Sequence, residues 1–252
     1  MTNAITLSTS DKITTLTITR PEKKNAITQA MYGAMADAIE AYGDDDVARA
    51  FVITGAGDMF TSGNDLQDFA TGGSEHDVPP VFRFLTAIST CPKPLIAAVN
   101  GPAIGVGLTM LLHCDLVYAA KSATFGAPFV KLGLVPEAAS SLLLPEAVGM
   151  AIANDILLAG RTLTAPEALE FGLVARVFAE ADLEAEVQKI AAHVAASAPV
   201  AMKRSKSLIR NRQAQVAAHM MTEAELFSEQ LQSADFAESV AAMMQKRAPV
   251  YS

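Results

Sequence analysis

Tryptophan is absent, and cysteine occurs only at Cys91 and Cys114, with no C-x-x-C pair and no Cys/His spacing of the zinc type. Neither a disulfide framework nor a structural metal site is expected, and a reducing compartment, the cytoplasm, is the expected location. Charge is sparse: 18% of residues are charged, and 19 Lys and Arg against 27 Asp and Glu leave −8. That balance opposes nonspecific attraction to nucleic acid or an anionic bilayer, so no partner of either kind is expected. The four histidines, at 76, 113, 193 and 219, are scattered. His113, ending an apolar helical pattern beside Cys114 and Asp115, reads as a satisfied core or capping residue, and no histidine is assigned chemistry. The opening residues lack the basic and continuous apolar runs of a secretory signal. Pro94 to Cys114 carries no charge, but Asn100-Gly101-Pro102, Gly105 and Gly107 break it into buried core rather than a membrane span. What remains is a chain of 252 residues, 51% hydrophobic, long enough to bury roughly three quarters of its unfolded surface without a covalent or metal staple.

Beta-branched residues alternate from Ile13 to Thr19 and stop at Arg20-Pro21, which predicts a strand after a similar one at Ile5 to Ser8, with a hairpin turn at Ser10-Asp11. Met31, Met35, Ile39 and Tyr42 follow a Thr28 cap at helical spacing, and Gly43 closes that helix. Strands are expected at Ala50 to Thr54, Pro94 to Val99, Leu116 to Ala119, Thr124-Phe125 and near Val174 to Val177. Helices are expected through Val81, Leu85 and Ile88, from Gly105 to His113, and again from Ala138. From Asp182 the pattern is helical, with Pro199 as the main break. The alternation predicts an α/β core over 1–196 and a helical region over 197–252.

Several common chemistries find no footing. Gly55-Ala56-Gly57 lacks the third glycine of a dinucleotide loop, because position 60 is Phe; no phosphate-binding G-x-x-x-x-G-K-[ST] and no G-x-S-x-G occur. The basic run Lys203, Arg204, Lys206, Arg210 and Arg212 reads most simply as a solvated helix face. Two loops carry more. Around Ser62-Gly63-Asn64-Asp65-Leu66, and again over Asn100 to Leu108, small residues lead into a helix and leave backbone N–H groups unpaired at its positive end. Aimed at one point, two such donors form an oxyanion hole; taken singly, each is an ordinary strand-to-helix turn.

Together these segments resemble the crotonase superfamily, the enoyl-CoA hydratases and isomerases, over nearly the whole chain. Arg20-Pro21-Glu22-Lys23-Lys24-Asn25-Ala26 is similar to its early coenzyme A loop, Ser62 to Leu66 to its first oxyanion loop, and Asn100 to Gly107 to its second. The resemblance implies a spiral of repeated β-β-α turns, a helical tail that helps to form a homotrimer or hexamer, and coenzyme A as part of an acyl-CoA thioester substrate, without a separate cofactor or a metal. It also implies a thioester oxygen held by the N–H groups of Asn64 and Val106, with Lys24, Asn25, Ala26, Ser62, Gly63, Asn64, Asp65, Leu66 and Gly105 around the substrate. Hydratases of the family generally have Gly where this chain has Val106. Their two water-handling glutamates fall at Thr109 and Phe129, neither of which can take a proton. A carboxylate stands instead at Glu137, in Leu132-Gly133-Leu134-Val135-Pro136-Glu137-Ala138-Ala139-Ser140-Ser141, which resembles the catalytic segment of peroxisomal-type enoyl-CoA isomerases. That branch implies transfer of a double bond from 3-enoyl-CoA to trans-2-enoyl-CoA in fatty acid β-oxidation, with Glu137 as proton shuttle in an apolar pocket supplied by Phe129, Leu132 and Leu134. Asp65 is expected to cap the following helix or order its loop. From position alone, Glu137 also fits a first-turn helix residue after Pro136. The alternatives are a hydratase or other crotonase-type acyl-CoA reaction, and a non-catalytic module binding acyl-CoA or RNA.

Overall fold

The computed structural model describes residues 4–65, 68 and 79–251. Strands β1 (Ile5–Ser10) and β2 (Ile13–Ile18) form an antiparallel hairpin. Its two-residue loop is Asp11-Lys12, one position later than the expected turn, with positive φ at both residues (51° and 68°). This is the turn class whose twist matches paired strands. Parallel partners β3 (Ala50–Gly55), β4 (Leu95–Val99), β6 (Leu116–Ala120) and β9 (Arg176–Phe178) complete a six-stranded sheet in the order β1-β2-β3-β4-β6-β9. A smaller sheet holds β5 (Ala103–Ile104), β7 (Thr124–Gly126) and β8 (Leu163–Thr164) in the order β5-β7-β8. Successive units give one strand to each sheet, as β4 and β5 do and then β6 and β7, which is the repeated β-β-α turn expected.

Every residue of β4 is buried, and the reason lies on its two faces. Leu95, Ala97 and Val99 join the core under α1 (Gln29–Asp44) and α2 (Pro80–Thr90). Ile96 and Ala98 join a second cluster with Leu183, Val187 and Ala191 of α7 (Leu183–Ala196). A strand covered on both sides reads as a continuous apolar run, which is how Pro94 to Val99 reads in the sequence. The helical pattern after Gly105 resolves into a short α3 (Val106–Thr109) continued by a 3-10 turn, Met110–His113.

Further along the chain are α4 (Ser140–Val148), α5 (Met150–Leu157) and α6 (Ala165–Glu170). After α7 come α8 (Pro199–Ile209), α9 (Gln213–Gln230) and α10 (Ala234–Gln245). Two expectations need correction here. The last strand begins at Arg176, two residues later than predicted. The basic run is a solvated face only in part: Lys203, Arg204 and Arg212 are exposed, but Lys206 is 9% exposed and its Nζ donates to Asp115 Oδ2 at 2.7 Å and to the Lys93 carbonyl. Arg210 donates to the carbonyls of Leu112 and Cys114, and Arg212 pairs with Glu146. Lys206 and Arg210 thereby fasten the end of α8 to the core, because a buried ammonium must find oxygen partners. No helix among the described residues is long and apolar enough to cross a membrane.

Candidate active site

Three loops lie side by side and are stitched by backbone bonds. Asn25 is fully buried: its Oδ1 accepts from the Arg20 amide, and its Nδ2 donates to the Ala56 and Met59 carbonyls at 2.9 and 2.7 Å. Its side chain therefore shapes the early loop from inside, while Lys24 is exposed and Ala26 half-buried. The Ser62 amide donates to Lys24 O, and Thr61 Oγ1 to Asn25 O. A parallel bridge then pairs Ile27 with Asn64: the Ile27 amide donates to Gly63 O and the Asp65 amide to Ile27 O. In such a bridge the N–H of the central residue, here Asn64, points away from its partner. A second bridge, Thr61 to Ala103, brings in the third loop.

Gly63 and Gly105 both hold positive φ (96° and 59°), and a Cβ on Gly63 would lie 2.9 Å from the Ile104 carbonyl, so the two loops meet only because that position is bare. Gly105 donates its N–H to Gly126 O and caps α3, whose first residue is Val106. The Val106 amide has no acceptor among the described residues and sits at the positive end of the turn. Leu66 lies outside the described residues.

Glu137 reaches the same region from the other side. It is not helical. Helix α4 starts at Ser140, and Ala138 and Ala139 both adopt left-handed backbone (φ 59° and 55°), a conformation that costs about 1–2 kcal/mol per residue bearing a Cβ. The Ser140 amide donates to Glu137 O, closing a turn with positive φ at both central residues, the type I′ pattern. The side chain so delivered is 8% exposed and accepts from Thr109 Oγ1 at 2.5 Å. Burial lifts its carboxyl to about 7, the Thr109 hydroxyl works against that rise and the Glu223 carboxylate adds to it.

Glu137, Asn64 and Gln29 border a cavity of about 370 Å³. Its apolar wall comes from Phe82 and Leu85 of α2 and from Met220, Phe227 and Leu231 at the far end of the chain. Phe129, Leu132 and Leu134 do not line it: Phe129 packs edge-on against Phe227 behind that wall, with ring centroids 6.5 Å apart. The expected source of the apolar pocket is thus corrected, because α9 returns over α2 and takes that place.

Three polar partners escaped the sequence reading. Tyr32 is fully buried and its hydroxyl donates to Asn64 Oδ1; burial and the neighbouring Glu137 hold that phenol well above its usual range. Gln29 Oε1 is buried with no partner among the described residues. Glu223 accepts from the Ser141 amide and hydroxyl and so clamps α9 to the Glu137 segment. Tyr32 offered the one usable signal, a tyrosine inside an apolar helix stripe whose hydroxyl must find a partner. Asp65 is ion-paired to Arg20 at 2.7 Å and accepts from the Asp68 amide, the ordering role expected of it. Among the described residues no group of three His, Cys, Asp or Glu is placed to hold a metal ion.

Residues 8–252 match the enoyl-CoA hydratase/isomerase family model. The chain belongs to that family, the crotonases. A solved enoyl-CoA hydratase/isomerase from Pseudoalteromonas atlantica T6c superposes with a TM-score of 0.98 at 56% identity, covering 99% of this chain and 100% of that one. Enoyl-CoA delta isomerase 2 of Rattus norvegicus is 46% identical over 204 residues, 79% of this chain and 52% of its own length, so the chain spans about half of that relative. A probable enoyl-CoA hydratase of Rhodobacter capsulatus is 37% identical over 250 residues, 96% of this chain and 95% of that one. Relatives named for hydration and relatives named for isomerisation are thus both similar to this chain in sequence.

Proposed function

We propose that this protein is an enoyl-CoA isomerase that converts 3-enoyl-CoA to trans-2-enoyl-CoA, a step that feeds unsaturated acyl chains into β-oxidation. The observation that carries the reading is Glu137, the one carboxyl among the described residues that line the cavity, buried, tethered by Thr109 and held near neutrality. Moving a double bond from β,γ to α,β needs one base: it takes the proton from the α carbon, the electron pair runs into a dienolate, and the same acid returns a proton to the γ carbon. A group with a pKa near 7 both accepts and releases that proton. The dienolate oxygen would be met by the N–H groups of Asn64 and Val106, with Tyr32 fixing the Asn64 side chain. Addition of water asks for a second group to handle the water, and Thr109 and Phe129 stand where the resemblance puts the hydratase acids. Glu223, the acid whose charge acts on Glu137 among the described residues, is engaged with Ser141.

The nucleotide part of the ester would lie along Lys24 to Ala26 and Ser62 to Asp65, the stitched loops that lead to Asn64, and the acyl chain would fill the apolar cavity. Assembly as a trimer is part of the proposal. Val200, Leu208, Ile209, Met244 and Val250 of the C-terminal region are each more than 60% exposed, an apolar load that suits a subunit contact. The unpaired, buried thiols of Cys91 and Cys114 suit a reducing compartment such as the cytoplasm. The test is a series of 3-enoyl-CoA chain lengths offered to the purified protein. The conjugated 2-enoyl product should accumulate without change of mass. Hydration of crotonyl-CoA with no conjugated product from any 3-enoyl ester overturns the reading.

A further inference from the structure

We infer that His113 is a positioning residue for Glu137, holding the backbone turn that aims the carboxylate into the cavity. The inference rests on Glu137 being the acid and base of the proposed reaction. It starts from the short helical segment that begins at Val106. Thr109 ends its α-helical turn and His113 ends the 3-10 turn that follows, and both reach the Glu137 segment. Thr109 Oγ1 meets the Glu137 carboxylate, and His113 Nε2 meets the Ala138 carbonyl at 2.8 Å. A carbonyl only accepts, so Nε2 carries the proton. The ring is 3% exposed and burial lowers its pKa to about 4, which keeps it a neutral donor at working pH.

The identity of that carbonyl is what matters. Ala138 O belongs to the central peptide of the turn from Glu137 to Ser140. Refolding the turn as type I rotates this peptide and returns both Ala138 and Ala139 to the right-handed backbone that alanine prefers. The Ser140 to Glu137 bond is made in both turn types and does not choose between them. His113 does choose, because rotation swings the Ala138 oxygen off its N–H. Glycines would take the I′ form unaided; alanines need an outside bond, and the structure places His113 there. One helical segment thus offers an amide donor at its start, a hydroxyl to the carboxylate at its middle and an imidazole to the turn at its end, fixing donor and base on one rigid piece.

The experiment compares His113→Met, which keeps bulk and removes the donor, with His113→Gln, which restores an N–H near Nε2. Glu223 and Arg210, the charged groups facing Glu137 and His113, stay untouched. The readouts are kcat and KM for 3-enoyl-CoA, thermal melting, and the titration of the Glu137 carboxyl by carbon NMR. His113→Met should lower kcat by about tenfold to a hundredfold with KM within about twofold, since a shift of about 1 Å costs that much, and should displace the carboxyl titration. His113→Gln should recover most of both. A folded His113→Met with wild-type kcat and titration, or a Gln variant as impaired as the Met one, overturns the inference. If His113→Met does not fold, nitrogen NMR of the wild-type ring decides: an Nε2–H tautomer agrees, and an Nδ1–H tautomer overturns. The titration needs no substrate, so a wild-type protein that isomerises nothing refutes the proposed reaction while the role of His113 is still decided.

Discussion

Asp65 and Glu137 end two loops that converge on one site, and the chain equips them in opposite ways. Asp65 faces the Arg20 guanidinium and accepts from the backbone amide of Asp68. Among the described residues Glu137 has one donor, the Thr109 hydroxyl, lies beside an apolar cavity wall, and feels the Glu223 carboxylate. The first environment offers the carboxylate an opposite charge and a donor, and the second makes anion and acid nearly equal in free energy at neutral pH. The lesson is that an acid's task is set by its partners and not by its distance from the substrate loops.

The largest test of this contrast is Glu137→Gln. Turnover should fall by about 10²- to 10⁴-fold with acyl-CoA affinity nearly unchanged; kinetics and equilibrium binding check it, and retention of full turnover would end the proposed mechanism. The same substitution has a stability signature. Because the folded pKa of about 7 lies above the usual 4.5, folding favours the protonated form, and that contribution is whole below about pH 4.5 and lost as pH rises through 7. Glu137→Gln should then be more stable than wild type by up to roughly 3 kcal/mol at pH 8, with the gain vanishing below pH 5 in denaturant titrations.

Asp65→Asn should behave the other way. It removes a partly buried ion pair, so a loss of about 1–2 kcal/mol is expected, and the pH dependence of kcat should not move. A displaced acidic limb in that variant would mean that Asp65, too, exchanges protons in the reaction. The finest test is Thr109→Val, nearly the same shape without the donor. The hydroxyl lowers the Glu137 pKa, so its removal should push the acidic limb of the rate profile upward and cost a few-fold in kcat at pH 7, recovered at higher pH.

Much of the architecture is legible in the sequence because its cause is local. Period-two beta-branched runs give β2, two-sided burial gives the unbroken apolar run of β4, and small residues between strand and helix give the Asn64 and Val106 turns. What escapes is set by contacts between distant segments. Met220 and Phe227 face Phe82 and Leu85 across more than 130 residues, and no periodicity in α9 says which face meets α2. The left-handed Ala138-Ala139 pair is hidden for another reason: alanine advertises helix, so the helix is expected two residues early, and only His113 and Thr109 nearby show why the backbone departs. The basic run misleads in the same way, since Lys206 looks like surface until Asp115 is seen beneath it.

The cavity has one wall from residues near position 85 and the other from residues near 225. During synthesis, then, Glu137 and the Asn64 and Val106 amides emerge well before the roof above them. A nascent polypeptide that stops short of α9 would carry these groups yet leave them open to water, so the enclosed cavity forms only once α9 is made.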